Sequence, residues 1–212
     1  MRFIFLFSFF LIGLLTQEVQ AFNIDNIVGN LQHTYQTAVD WQADFSQSTF
    51  VELLGKNIEK SGHISIKKPG KLRIEYKGEG ERVYISNGKK LWIVTPGDSE
   101  VEVYPKLSKI LAREALTFLE GLGDIRHDFS VNAVTLAESK NSEMQDHALT
   151  LLRLTPVHAG SLFQKIILGV DPKNYQVREM TLVNMSNNKT HYIFNNIRFN
   201  SRLADGLFEY QQ

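Results

Sequence analysis

Between Trp41 and Pro96 the chain alternates with the two-residue period of extended strands, and it places large side chains on both faces of them. Trp41, Ala43, Phe45, Gln47 and Thr49 fall on one side, and Gln42, Asp44, Ser46 and Ser48 on the other. Ile64, Ile66 and Lys68 share a side just before Pro69, and Leu72, Ile74 and Tyr76 form the next alternating set. Asn87-Gly88 lies between the strand-like stretches 82–86 and 89–95, the strongest short hairpin signal a sequence carries. Further turns are expected at 54–57, 77–80 and 96–99. An antiparallel sheet of this size must set its apolar face against something. What that something is decides the function.

The flanking segments narrow the architecture. Ile24, Ile27, Val28, Leu31 and Tyr35 recur at helical spacing, with Asn23 or Asp25 placed to cap the helix and its end near 35–39. After Pro105, residues 106–119 read as a second helix, with Leu107, Ile110, Leu111, Ala115, Phe118 and Leu119 on one broad face and a stop at Gly121-Leu122-Gly123. That Gly-x-Gly follows a helix and no strand-turn-helix comes after it, so it is not a phosphate-binding loop. Strands are expected at 129–136, 148–155, 163–170, 176–184 and 190–199, with turns at Asp171-Pro172-Lys173-Asn174 and Ser186-Asn187-Asn188 and a polar loop at 138–145. The order helix, strands, helix, strands implies an α+β, mainly antiparallel β fold: an open or nearly closed barrel with helices against one side.

Met1-Arg2, the apolar run 3–15 broken only by Ser8 and Gly13, and the small-x-small site Val19-Gln20-Ala21 read as a secretory signal peptide, residues 1–21. The run is too short for a comfortable membrane span. Residues 22–212 then form a single domain. The chain contains no cysteine, which removes disulfides, thiolate-bound metals, thiol catalysis and cysteine-linked lipid anchors together. An exported domain of this kind depends on its core for stability. With 23 basic and 23 acidic residues there is no charge bias toward nucleic acid. Lys67, Lys68, Lys71 and Arg73 are nonetheless close together. Lys67 and Lys71 read as solvated, whereas period two puts Lys68 on the side of Ile64 and Ile66.

No residue pattern marks an enzyme. The six histidines, His33, His63, His127, His147, His158 and His191, lack the spacing that would bring ligands onto one helix or strand face, so no metal site is expected. There is no Gly-x-Ser-x-Gly elbow, and Glu79 and Glu81 flank Gly80 as solvated charges. Asn184-x-Ser186 and Asn188-x-Thr190 match the glycosylation pattern, which chance supplies often. No cofactor is implied.

A binding role remains. Leu149, Leu151, Leu152 and Leu154, and again Phe163, Ile166, Ile167 and Leu168, make the later strands more apolar than a solvated outer face requires. Periodicity alone is satisfied by an interior simply filled with side chains. The motifs Phe45-x-Gln47, Gly62-x-Ile64, Lys67-Lys68-Pro69 and Ser86-Asn87-Gly88-Lys89-Lys90-Leu91-Trp92-x-Val94-x-Pro96 resemble the LolA family of periplasmic outer-membrane lipoprotein carriers. Three positions depart from the family pattern: Lys68 stands where Arg often precedes the proline, Asn87 where Asp often precedes the hairpin glycine, and Val94 where Tyr often follows the tryptophan. Asn-Gly preserves the turn; lysine lacks the planar donor fork of arginine.

The resemblance implies a curved, incomplete barrel with an apolar concave face under a lid of short helices. It implies a soluble periplasmic chaperone, not an enzyme and monomeric, that binds acylated lipoproteins. These pass from an inner-membrane ATP-driven exporter to an outer-membrane acceptor. The cavity wall is expected from Leu31, Phe45, Ile64, Ile66, Leu72, Ile74, Tyr76, Trp92, Leu116 and Leu119, each with ordinary core packing as the competing reading. Lys68 is expected as a lid latch, donating to carbonyls near Leu119–Gly121; the competing reading is a solvated lysine beside a turn. Two rival functions share the sequence: a lipid- or peptide-sensing periplasmic domain of the same fold, and an exported enzyme acting on a lipid.

Overall fold

The computed structural model of the chain describes residues 24–78, 82–95, 97, 101–105, 124–134 and 148–211. The expected signal peptide, the expected helix 106–119, the polar loop 138–145 and His147 lie outside them. Helix α1 (Ile24–Thr37) leads into a long hairpin, β1 (Asp40–Val51) and β2 (Lys56–Lys67). The expected turn at 54–57 lies slightly earlier, as a 3-10 turn over Glu52–Leu54 closed by Gly55 in the left-handed region. Then come β3 (Lys71–Tyr76), β4 (Val83–Asn87), β5 (Leu91–Val94) and β6 (Val101–Tyr104). A single helical turn, α2 (Ile125–Asp128), opens the second half, followed by β7 (Phe129–Ala133), β8 (Thr150–Pro156), β9 (Phe163–Val170), β10 (Val177–Asn184) and β11 (Lys189–Phe199). Asp124 starts α2 by accepting from the amides of Arg126 and His127.

These strands make one antiparallel sheet in the order β6-β5-β4-β3-β2-β1-β11-β10-β9-β8-β7. The chain works outward to β6, then returns from β7 to pair β11 with β1 at the centre. Among the described residues β6 and β7 are unpaired ends, so the sheet is an open, incomplete barrel. Turn chemistry fixes the register. At the Asn87-Gly88 hairpin the Asn87 Oδ1 accepts from the amides of Lys89 and Lys90, both at 3.0 Å, and Gly88 takes φ +87°. In the β9–β10 turn the Asp171 Oδ1 accepts from the Lys173 amide at 2.8 Å.

Register sorts the two faces. Trp41, Ala43 and Phe45 on β1 oppose Ile66, Ile64 and Gly62 on β2, which oppose Leu72, Ile74 and Tyr76 on β3. The same face continues through Ser86 and Tyr84 to Leu91 and Ile93. In the other half it continues through Phe194 to Met180, Leu182, Leu168, Ile166, Leu152 and Leu154. Helix α1 packs its stripe, Val28, Leu31 and Tyr35, into this inner face and joins one continuous core.

The opposite face of the β2–β5 half is covered by the C-terminal segment. Asp40, buried at the start of β1, accepts from the amides of Ser201 (2.7 Å) and Leu203 (3.1 Å). Lys67 and Lys71 both hold Asp205, at 2.7 and 2.8 Å, and Arg73 donates to the Leu207 carbonyl. Asn87 donates to the Glu209 carboxylate. The 3-10 turn Asp205–Phe208 buries Phe208 completely. A shallow cavity of about 340 Å³ lies between this segment and Arg73, Val83, Ile85 and Val94. The large side chains on both strand faces are thereby explained: one set meets α1, the other meets the C-terminal segment. Trp92 lies on this opposite face. It alternates with the inward Leu91 and Ile93 and pairs with Ile85, so its placement in the concave wall is corrected: strict period two turns it outward.

Candidate functional site: the apolar inner face

Of the residues expected to line the hollow, Leu31, Phe45, Ile66 and Leu72 are buried in the shared core, with Leu31 and Leu72 almost inaccessible. Ile64, Ile74 and Tyr76 are half-buried and pack around that core. Leu116 and Leu119 lie outside the described residues. Sequence reasoning missed Tyr84, Met180, Leu182 and Tyr192, which are half-buried on the same face, and the buried Phe194. The alternation Thr190, Tyr192, Phe194 signals the last two, but their match to Phe45 depends on the strand partner.

Five aromatic rings cross the inner face from β4 to β11. Tyr84 meets Tyr76 at 6.2 Å between centroids, Tyr76 meets Phe45 edge to face at 5.4 Å, Phe45 meets Tyr192 at 6.1 Å, and Tyr192 stacks on Phe194 at 6.0 Å. The row crosses β2 at Gly62. A Cβ there would lie 2.6 Å from Phe45 Cζ and would also strike the Glu75 carbonyl oxygen, so glycine lets the Phe45 ring lie across the strand. Burial raises the Tyr192 phenol above its ordinary pKa, keeping it neutral.

One flank of the row, on the side of the β1–β2 turn, is polar. Tyr76 Oη donates to Gln47 Oε1 at 3.2 Å, Gln47 Nε2 donates to Thr49 Oγ1 at 3.1 Å, and Thr49 shares a 3.2 Å hydrogen bond with Thr190. The Lys60 ammonium lies 5.2 Å from the Tyr76 ring centroid. The inner face therefore has an apolar body and a hydrogen-bonding rim toward the β1–β2 turn.

Helix α1 is held unequally at its two ends. At the C-terminal end Lys68 Nζ donates to the carbonyls of Tyr35 and Gln36, both at 2.7 Å. These are carbonyls that the helix itself leaves unpaired, and the cation suits the negative end of the helix dipole. Partial burial lowers the Lys68 pKa from its ordinary value. The Tyr35 ring meets Phe199 and Trp41 edge to face, and its hydroxyl accepts from the Val177 amide at 3.1 Å. At the N-terminal end Arg126 contacts the Asp25 side chain and carbonyl at 2.8 and 3.0 Å, with both side chains well exposed. Lys68 is thus a helix clasp, but on α1; the carbonyls near 119–121 expected as its partners lie outside the described residues.

The histidines are less scattered than their spacing implies. The β7–β8 register brings His127 and His158 around Asp128, a meeting that spacing on one helix or strand face does not signal.

Residues 36–211 match the protein family described as Outer membrane lipoprotein carrier protein LolA. An outer-membrane lipoprotein carrier protein of Nitrosomonas europaea is 27% identical over 187 residues, covering 86% of this chain and 84% of that one. One of Methylobacillus flagellatus is 23% identical over 183 residues, covering 86% and 83%. The crystal structure of an uncharacterized conserved protein from Thermus thermophilus shares the fold, with a TM-score of 0.52 at 9% identity and coverage of 89% and 94%.

Proposed function

Because this chain belongs to the LolA family of outer-membrane lipoprotein carrier proteins, whose members are non-enzymatic chaperones, we propose that it carries lipoproteins across the periplasm with their acyl chains against the inner face of the sheet. Residues 1–21 act as the cleaved export signal. Cargo comes from an ATP-driven exporter in the inner membrane and goes to an acceptor at the outer membrane.

The observation that carries this reading is the aromatic row bordered along one flank by a polar rim. An acyl chain of roughly fifteen methylenes has about 12 kcal/mol at stake between water and an apolar surface. The half-buried rings of Tyr84, Tyr76 and Tyr192, with Ile64, Ile74, Met180 and Leu182, offer such a surface. The Gln47–Thr49–Thr190 chain and Lys60 offer hydrogen bonds to the glyceryl and peptide end of the cargo. The surface must also be released on demand, and α1 supplies the means. Its core-facing side chains compete for the same hollow, and its weak exposed tether at Arg126–Asp25 contrasts with the firmer C-terminal hold, where the partly buried Lys68 donates to two carbonyls and the buried Tyr35 bonds the Val177 amide. The N-terminal end of α1 lifts while the C-terminal end serves as the hinge.

Gentle isolation from the native envelope followed by native mass spectrometry tests this. The proposal expects co-purifying acylated polypeptide. A chain that always emerges with no acylated partner, while a parallel lipoprotein carrier retains its own, contradicts it.

A further inference from the structure

We propose that His127, Asp128 and His158 form a binding site for a divalent transition metal of the zinc class at the end of the sheet where β7 begins. The three residues come from two places in the chain. His127 and Asp128 close α2, while His158 follows β8. Antiparallel pairing of Phe129 with Pro156 joins them, and the Val157 amide donates to the Asp128 carbonyl at 3.1 Å. Spacing along the chain gives no hint of this, because about thirty residues separate the two imidazoles.

The donor geometry is close to what a tetrahedral ion needs. With metal–ligand bonds of about 2.1 Å, two ligand atoms on one zinc lie about 3.4 Å apart. His127 Nδ1 lies 3.1 Å from Asp128 Oδ1, and His158 Nε2 lies 3.5 Å from the same oxygen. One nitrogen or oxygen from each of the three residues falls within 4.8 Å of the others. The two imidazole rings sit 5.2 Å apart, tilted by 45°. Both imidazoles are exposed enough to turn: 63% for His127 and 43% for His158. Asp128 is 16% exposed and stays fixed, a rigid carboxylate between two movable imidazoles. Two imidazoles and a carboxylate suit zinc, cobalt or nickel; calcium and magnesium prefer oxygen ligands. Three protein ligands leave a fourth position for water. The chain has no cysteine, so no thiolate competes for such an ion.

A bound ion ties α2 to the end of β8. Arg126, between the cap residue and His127, is the group that tethers Asp25 at the start of α1. The site therefore stiffens the anchor of the helix end proposed to lift.

The test uses the protein expressed with its own N-terminal segment, purified without a polyhistidine tag and stripped with chelator. Titration with zinc by calorimetry and with cobalt by visible absorption should each saturate at one ion per chain, and zinc should raise Tm. His158→Asn should abolish saturable binding and the Tm rise while leaving the metal-free Tm unchanged, since His158 is exposed. His127→Asn should do the same, and His33→Asn, on the exposed face of α1, should bind like the parent. Absence of one-to-one binding, or equal binding by His158→Asn, would show an imidazole–carboxylate surface pair only and overturn the proposal. Because the readout is metal binding, it is independent of whether lipoprotein is carried.

Discussion

The aromatic row rests on a glycine, and Gly62→Ala tests that directly. The new methyl would lie 2.6 and 2.8 Å from two carbons of the Phe45 ring, and it would also press on the backbone carbonyl of Glu75. To reach ordinary contact near 3.4 Å the ring must withdraw by about 0.8 Å, but Tyr76 and Tyr192 flank it. The carbonyl belongs to the β2–β3 ladder and has no rotamer to escape into. Overpacking of this kind costs about 1–3 kcal/mol, while replacing a strand glycine by alanine would otherwise gain about 0.5–1 kcal/mol. The net expectation is a loss of up to about 2.5 kcal/mol, centred on about 1 kcal/mol, with Tm falling by about 2–4 °C per kcal/mol in a chain of this length. Gly29→Ala is the control. Gly29 is exposed inside α1 with nothing within 4 Å of a Cβ, so that change should stabilise by about 0.5–1 kcal/mol. Urea unfolding of both variants reads the two signs. If Gly62→Ala proves as stable as the parent, the close approach of Phe45 across β2 is wrong.

Lys68→Met keeps most of the aliphatic stem but removes both bonds to the α1 carbonyls. The expected loss is about 1.5–3 kcal/mol, seen in hydrogen exchange as reduced protection of α1 amides with little change in β1–β2; unaltered protection of α1 would contradict the clasp. Asp205 carries a carboxyl pKa of about 2, well below its ordinary 3.8, chiefly because Lys67 and Lys71 donate to it. Its folded pKa is depressed, so the unfolded chain binds the proton more readily. The stabilisation is therefore present above pH 3.8 and is lost as pH falls toward 2. An NMR titration should place its midpoint near 2, and Asp205→Asn should flatten that part of the stability–pH profile; an ordinary midpoint would mean the C-terminal segment is not pinned as described.

The strands are legible in the sequence because their period is short and local. The 41–49 alternation, the Asn87-Gly88 hairpin and the 24–35 helical stripe each depend on neighbours in sequence, and each appears in the fold. What escapes the sequence is what depends on a partner strand. Trp92 reads as inward because large aromatics dominate any list of apolar residues, but Leu91 and Ile93 hold the inner positions and turn it toward the other face. The second apolar face has no visible cover in the sequence because the segment that covers it, 200–211, carries no strand or helix period, and its attachment through Asp40, Lys67, Lys71 and Arg73 is long-range. The basic cluster 67–73 is thus largely an anchor for the C-terminal segment. Period two separates Lys68 from that cluster, and the sheet delivers it to α1. His127 and His158 look scattered along the chain because nothing short of the β7–β8 register reveals that they meet.

The central claim, that acyl chains bind the inner face, is tested most directly by site-specific photo-cross-linking. A photoreactive side chain placed at Tyr84 or Met180 reports from the inner face, and one at Trp92 reports from the other side of the same sheet. With a radiolabelled acylated lipoprotein as cargo, the account predicts adducts to the acyl chain from Tyr84 and Met180 and none from Trp92. Adducts from Trp92 alone, or equal labelling from both faces, would contradict it.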